Sequence, residues 1–286
     1  MRTRSHIEQN DQLGQLDALG DLPTRHRGEG FRLVQGDSLD LLGKLPAASV
    51  DLIFADPPYN LSNGGTTCQG GRRIAVNKGL WDASRGVGED HDFHRRWLEA
   101  CRRVLKPSGT IWVSGTQHVI FSLGFAMQEI GFHLLNTVTW FKPNASPNLA
   151  CRFFTHSTEL LIWAAPLRGK PLRHTFNYPQ MKVDNGGKQM RDMWPLTDDG
   201  AGVMWDLATP AKREKSEGRH PTQKPIALLD RIIAAASNPG DLVLDPFNGS
   251  GTTGVVAVGR GRSYLGIDLD PAYLDLTERR LAATRG

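Results

Sequence analysis

Two short apolar runs in this chain end in the same way. Val50-Asp51-Leu52-Ile53-Phe54-Ala55 runs into Asp56-Pro57-Pro58-Tyr59, and Asp241-Leu242-Val243-Leu244 runs into Asp245-Pro246-Phe247. Short apolar segments of partly β-branched residues read as buried strands. The prolines forbid both a helix and further ladder pairing, so each strand must turn sharply at its Asp. This constrains the fold more than any other feature. It calls for two strands whose carboxyl ends each carry a carboxylate, at the edge where open α/β sheets place their ligands. A lone Asp-Pro also suits a purely structural capped turn, so the remaining residues must decide.

Strands and helices alternate on either side of these ends. Phe31–Gln35 reads as a strand that stops at Gly36-Asp37, and Asp37 suits either the N-cap of the helical turn that follows or a ligand's hydroxyl or amine. Phe93, Trp97, Cys101, Val104 and Leu105 recur at helical spacing and stop at Lys106-Pro107-Ser108-Gly109. Thr110–Ser114, Leu134–Trp140 and Leu160–Trp163 read as strands, and 117–130 as a helix. A helical stripe at Leu229, Ile232, Ile233 and Ala236 precedes the second Asp-Pro strand. A strand from Ser263 to Ile267 then ends in Asp268, and a last helix starts near Pro271. The pattern predicts an α/β fold, a doubly wound and mostly parallel sheet with covering helices.

At 286 residues the chain accommodates one such domain with an insertion. Residues 1–30 are polar and charged and read as a flexible arm; 31–165 and 220–286 read as the two halves of the domain. Between them, 166–219 loses apolar periodicity and gathers Arg168, Lys170, Arg173, Lys182, Lys188, Arg191, Lys212, Arg213 and Lys215, interleaved with Phe176, Tyr178, Trp194 and Trp205. Cations for phosphates and rings for stacking are what a nucleic-acid-contacting segment needs, and a solvated insertion has the same composition. The net charge of +4 permits a polyanionic partner without demanding one. From Leu61 to Gly88 seven glycines interrupt any pattern, as in a substrate-side flap; it carries Asn63, Arg72, Arg73, Asn77, Lys78 and Trp81. No run of ~18 apolar residues suggests a membrane span, and the N-terminus lacks the apolar middle of a secretion signal. Cys68, Cys101 and Cys151 share no metal-ligand spacing; Cys101 reads as a small core residue, and the odd count suits a reducing cytosol.

The second Asp-Pro end continues as Phe247-Asn248-Gly249-Ser250-Gly251-Thr252-Thr253. Glycines there let backbone amides approach a ligand closely. Gly254 completes a Gly-x-Gly-x-x-Gly spacing, and Asp268 lies 17 residues beyond Gly251 at the end of the next strand, where an acid holds a ribose. These features predict a nucleoside-containing cofactor. NAD would need a hydride-transfer site, for which no residue pair is evident. S-adenosylmethionine would need a nucleophile, and the first Asp-Pro end suits an exocyclic amine. The Asp56 carboxylate and the Pro57 carbonyl would accept its two N–H groups and free its lone pair, while Tyr59 stacks on the base. Such a base must leave its duplex to arrive there.

At these residues the sequence resembles the amino DNA methyltransferases. Asp56 to Tyr59 matches the family's Asp-Pro-Pro-Tyr motif and Phe247 to Gly251 its Phe-x-Gly-x-Gly loop, in the order of the permuted beta class. His220-Pro221-Thr222-Gln223-Lys224-Pro225 is also similar to that class. The resemblance implies a catalytic group of Asp56, Pro57, Pro58 and Tyr59. It implies a cofactor group of Asp37, His220, Thr222, Lys224, Asp245, Phe247, Gly249, Ser250, Gly251, Thr252 and Asp268, with S-adenosylmethionine bound. It further implies double-stranded DNA as substrate, 166–219 as target-recognition insertion, a bacterial cytoplasmic, nucleoid-associated setting, a homodimer and a cognate restriction endonuclease. Val76-Asn77-Lys78-Gly79-Leu80-Trp81-Asp82 is similar to a branch of adenine enzymes of restriction–modification systems. Asp at the first motif position favours adenine N6, with cytosine N4 as the alternative by the same mechanism. RNA methylation and a catalytically silent DNA-binding subunit are more distant alternatives, and a protein-glutamine enzyme would favour Asn at that position.

Overall fold

The computed structural model of the chain describes residues 14–60, 66–69, 72–75, 82–142, 145, 147–167, 173–194, 210, 214, 216–218 and 220–284. Expectations for Asn63, Asn77, Lys78, Trp81, Arg168, Lys170, Trp205, Lys212, Arg213 and Lys215 lie outside them, as do the side chains of Arg72 and Arg73.

In chain order the elements are β1 (Thr24–Gly28), β2 (Phe31–Gln35), α1 (Ser38–Lys44), β3 (Val50–Ala55), β4 (Thr66–Gln69), β5 (Arg72–Ala75), α2 (Val87–Val104), β6 (Leu105–Gly115) and α3 (Ile120–Glu129). There follow β7 (His133–Phe141), β8 (Thr158–Ala165), α4 (Tyr178–Asp184), β9 (Met193–Trp194), α5 (Ile226–Ala236), β10 (Leu242–Asp245), α6 (Thr252–Gly259), β11 (Ser263–Asp268) and α7 (Pro271–Ala283). Nine strands form one sheet in the order β1-β2-β11-β10-β3-β6-β8-β7-β9, and β4 and β5 pair as a separate antiparallel hairpin. The five strands from β2 to β6 are parallel, while β8 and β7 add antiparallel partners. The doubly wound, mostly parallel sheet expected from the alternation is the observed fold.

Alternation along the central strands divides the core between two faces. Ile53 and Ala55 of β3, with Leu242 and Leu244 of β10, meet Trp97, Leu98 and Cys101 of α2 and Leu123 of α3. Leu52, Phe54 and Val243 face the other way, onto Leu229 and Ile232 of α5 and Val255 to Val258 of α6. A period-2 strand buried on both faces must be apolar throughout, which is why these runs read so clearly. Fully burying each such side chain contributes roughly 1.5–3 kcal/mol. Val243 pairs with Leu52 and Leu244 with Ile53, although some 190 residues separate them. From β10 the chain winds outward to β11 and from β3 to β6, so the sheet's switch point lies between the two Asp-Pro strands. That is where an open α/β sheet leaves a crevice.

Residues 14–28 differ from the expected flexible arm. Leu16, Leu19 and Leu22 are buried, and β1 pairs antiparallel with β2. The buried Arg32 guanidinium donates to the carbonyls of Leu16 and Gly20 at 3.1 and 3.0 Å, and Arg25 pairs with Asp275 of α7 at 2.6 Å. Three leucines three residues apart, set in a charged sequence, supply the anchoring surface. Within 166–219, Trp194 also departs from its expected role on nucleic acid. It is buried, its ring 5.8 Å from that of Trp112, with Arg231 4.9 Å above it. Phe176 and Tyr178 remain exposed. Cys101 is a core residue as expected. Among the described residues no helix is long and apolar enough to cross a membrane.

Candidate active site

A cleft of about 630 Å³ opens at the carboxyl ends of β3 and β10. This lies within the range of small-molecule sites, roughly 300–1,000 Å³. On its β3 side the strand halts at Pro57 and Pro58, and the Asp82 carboxylate accepts the Tyr59 backbone N–H at 2.8 Å, fixing the turn.

The Asp56 carboxylate stands in a dense polar network. Oδ1 accepts the Tyr59 hydroxyl at 2.6 Å and the Ser114 hydroxyl at 2.5 Å, and Oδ2 accepts the Lys224 ammonium at 2.6 Å. An ionised carboxylate offers about four lone-pair sites. Among the described residues three are taken, and the one left belongs to Oδ2. Lys224 also lies 3.6 Å from Glu159, which in turn holds Lys142 at 2.7 Å. Burial pushes the Lys224 ammonium down, but Asp56 and Glu159 outweigh it and raise its pKa. Burial likewise pushes Glu159 up, and Lys224 and Lys142 reverse that to hold it below its ordinary value. The Tyr59 phenol is raised well above its usual range by burial and by the Asp56 and Glu159 charges, so it remains a hydrogen-bond donor at neutral pH. Its ring is 6% exposed, with Lys224 5.0 Å from the ring centre.

The β10 side is built differently. Asp245 is buried with no cation beside it among the described residues; it accepts the Phe247 N–H at 3.0 Å and the Thr253 hydroxyl at 2.6 Å. Burial above all, with Asp56 and Asp268 nearby, pushes its pKa up to about 7. Asp268, at the end of β11, accepts the N–H groups of Gly249 at 2.7 Å and Asp270 at 2.9 Å; burial raises it to about 6. Gly249 has φ 49°, and a Cβ there would come within 3.2 Å of the His220 ring. Gly251 has φ 71°, and a Cβ would meet Thr277 at 2.3 Å. The glycine turn thus brings bare backbone up to the cleft beside carboxylates with acceptor capacity to spare, which fits a nucleoside ribose and a cationic group. Asp37 caps α1 by accepting from Leu39 N at 2.8 Å, and it also lines the cleft.

Of the catalytic and cofactor residues expected from the sequence, all line this cleft except Gly251, whose Cα faces Thr277. Ser250 and Thr252 line it while engaged by the buried Arg280, at 2.6 Å to the Ser250 carbonyl and 3.0 Å to the Thr252 hydroxyl. Thr222 and His220 bond each other at 3.3 Å, and His220 meets Tyr273 edge-on at 4.5 Å. Phe247 is set against Trp97 at 5.2 Å. Lys224, grouped with the cofactor by resemblance, is ion-paired to Asp56. Ser114, Glu159 and Lys142 did not emerge from the sequence. Ser114 carries the same signal as Asp56 and Asp245, a polar residue closing an apolar strand, and Glu159 is the one acid of β8, between Thr158 and an apolar run.

Comparison with known proteins adds independent findings. The family model described as DNA methylase, of the N6/N4 type, matches residues 50–279. The type II methyltransferase M2.LlaDCHI of Lactococcus lactis subsp. cremoris is 51% identical over 253 residues, covering 88% of this chain and 90% of that protein. M2.DpnII of Streptococcus pneumoniae is 49% identical over 251 residues, covering 88% and 89%. Among solved structures, the M1.HpyAVI–SAM complex matches with a TM-score of 0.61 at 25% identity, over 88% of this chain and 98% of that one. The cytosine-N4-specific PvuII DNA methyltransferase matches with a TM-score of 0.67 at 19% identity, over 91% and 89%, a likeness of fold alone.

Proposed function

The chain belongs to the DNA methylase family, and from that membership we propose how its two strand ends divide the work of a site-specific amino-methyltransferase. It methylates an exocyclic amine of double-stranded DNA, with S-adenosylmethionine as cofactor. When bound, that cofactor supplies an electrophilic methyl carbon on a sulfonium sulfur.

The residues of this chain do the rest. The free lone pair on Asp56 Oδ2 accepts one N–H of the target amine, and the Pro57 carbonyl accepts the other. Withdrawing both protons from the plane of the base localises the nitrogen lone pair and orients it toward the methyl carbon that the cofactor would supply, whose sulfur would leave with the C–S electron pair. The proton that nitrogen then sheds leaves along the Asp56 hydrogen bond. Lys224, Tyr59 and Ser114 are positioning residues that fix the carboxylate's rotamer, and the Tyr59 ring bears on the base. Across the cleft, Asp268 and Asp37 hold the nucleoside part of the cofactor, against the turn from Phe247 to Gly251 with His220 and Thr222 alongside.

The observation that carries this reading is the single unspent acceptor site of Asp56, beside a buried cation at 2.6 Å. We assign adenine N6 as the target on the Asp that opens the motif. We also assign 166–219 to target recognition, on its exposed Arg173, Lys182, Lys188 and Arg191. Incubation with methyl-tritiated S-adenosylmethionine and genomic duplex DNA, followed by digestion to nucleosides and mass identification, tests both base and reaction. N6-methyl-2'-deoxyadenosine is expected; N4-methyl-2'-deoxycytidine would reassign the base, and no transfer would refute the function. Weakened, salt-dependent DNA binding on neutralising those four cations tests the insertion.

A further inference from the structure

The connection from β7 to β8, of which residues 142, 145 and 147–157 are described, leaves the same edge of the sheet as Asp56. Its neck is closed by the Lys142 N–H donating to the Ser157 carbonyl at 2.7 Å, and two residues later Glu159 enters the catalytic network. At its far end Phe154 is 96% exposed and Phe153 58% exposed. Exposure of that extent for adjacent aromatic residues is unusual, and this turn is held rather than slack. The Asn148 side chain donates to the Phe153 carbonyl at 2.6 Å and accepts the Ala150 N–H at 3.0 Å, while Cys151 adopts φ 51°. The Phe153 ring lies 5.2 Å from that of His156, which is tied to Gln117 beyond the end of β6 at 3.2 Å. The segment contains Lys142, Arg152 and His156 and no Asp or Glu. From Glu159 to Phe154 the chain spans at most about 17 Å at ~3.4 Å per residue, the length of roughly five base steps.

We propose that this turn is a wedge that opens the duplex beside the target. Phe154 enters the base stack next to the nucleotide drawn toward Asp56, Phe153 and His156 support it from behind, and Arg152 meets the phosphate chain. Apolar side chains inserted at a base step unstack it, and flanking cations without acids suit the polyanion. The target amine can reach the carboxylate only outside the helix, so a wedge on the catalytic edge lowers the cost of extrusion where it is incurred. The inference rests on the reading of the chain as a duplex DNA methyltransferase.

The test compares methyl-tritium incorporation into plasmid DNA, native and heat-denatured, by wild type, Phe154→Ala and Phe154→Trp. Phe154 is exposed, so neither variant disturbs the core. Loss of stacking by one aromatic lowers the rate of Phe154→Ala on native DNA by about 10- to 100-fold. Its rate on denatured DNA stays within about twofold of wild type, where no stack needs opening, and Phe154→Trp recovers most of the duplex rate. Equal losses on both forms, no loss on either, or a wild type that methylates only denatured DNA would each overturn the wedge. Transfer by wild type to neither form would overturn the methyltransferase reading itself, and the wedge with it.

Discussion

Asp56 and Asp245 end neighbouring strands of one sheet, each followed by proline, and they live in opposite electrostatic worlds. Asp56 has a lysine at 2.6 Å and two hydroxyls on its other oxygen. Among the described residues Asp245 has one hydroxyl, one backbone N–H and no cation, and burial drives its pKa up to about 7. The same dipeptide therefore yields a carboxylate with its counter-charge built in and one that still needs a counter-charge. The first suits a neutral substrate such as an aromatic amine, which brings no charge to compensate the acid. The second suits a ligand that arrives with a positive charge. Location in the sheet is shared; what differs is which distant side chains the fold delivers to each.

The strongest way to break this contrast is at Asp56. Replacing Asp56→Ala removes the acceptor for the amine and should lower methyl transfer by about 10³-fold or more. Cofactor affinity, measured by calorimetry, should change by no more than a few-fold because the β10 side is untouched. Comparable losses in both would mean the two ends do not divide the work.

Removing the counter-charge comes next. Lys224→Met leaves Asp56 and Glu159 buried with Lys142 as their remaining cation, and breaking a buried pair from one side costs about 3–5 kcal/mol. For a domain of this size that is a drop in Tm of roughly 6–15 °C. Adding Asp56→Asn should restore much of it, since the second change removes the stranded charge. A double variant as unstable as Lys224→Met would show that Lys224 acts through packing instead.

How much of this was legible in sequence follows from the range of each interaction. The Asp-Pro ends, the glycine turn and Asp268 act within a few residues of themselves, so proline geometry and spacing revealed them. The alternation of apolar runs revealed the doubly wound sheet for the same reason. Lys224 meets Asp56 across 168 positions, and Tyr59 meets Glu159 across 100. No local pattern encodes a pairing of that kind. Glu159 reaches the network only because β8 runs antiparallel beside β6, setting Leu161 against Ser114 and Leu160 against Gly115. Ser114 was within reach, had the rule applied to Asp56 been applied to every strand end. Residues 14–28 misled because three leucines among many charges give no periodicity long enough to see, although they bury fully once Arg32 gathers the backbone around itself.

The smallest and most specific effect concerns pH. Burial pushes the Asp245 pKa up to about 7 and the Asp268 pKa up to about 6, from an ordinary carboxylate value near 3.8. Both pKa values are raised, so these groups favour the folded state fully below about pH 3.8 and cease to as pH rises through 6 and 7. The free enzyme should therefore lose stability from these acids between about pH 4 and 7, and no more above that. His94, which burial holds near 4, works in the opposite sense, losing its contribution as pH falls below 6.5. Asp245→Asn keeps an acceptor for the Phe247 N–H and removes one titrating group. His94 and Asp268 are common to both proteins, so the difference in Tm between variant and wild type isolates Asp245; it should widen in the variant's favour from pH 4 to 7 and then level off. Cofactor binding should show the converse. A cationic ligand selects the ionised acids, so lowering the pH from 7.5 to 5.5 requires binding to expel protons. Affinity should then fall, by at most about tenfold per pH unit for each acid, with proton release visible as buffer-dependent calorimetric heat. In Asp245→Asn the dependence around pH 7 should flatten, leaving the step near 6. A variant with an unchanged pH profile would place the cofactor's charge elsewhere and leave Asp245 a pin for the glycine turn alone.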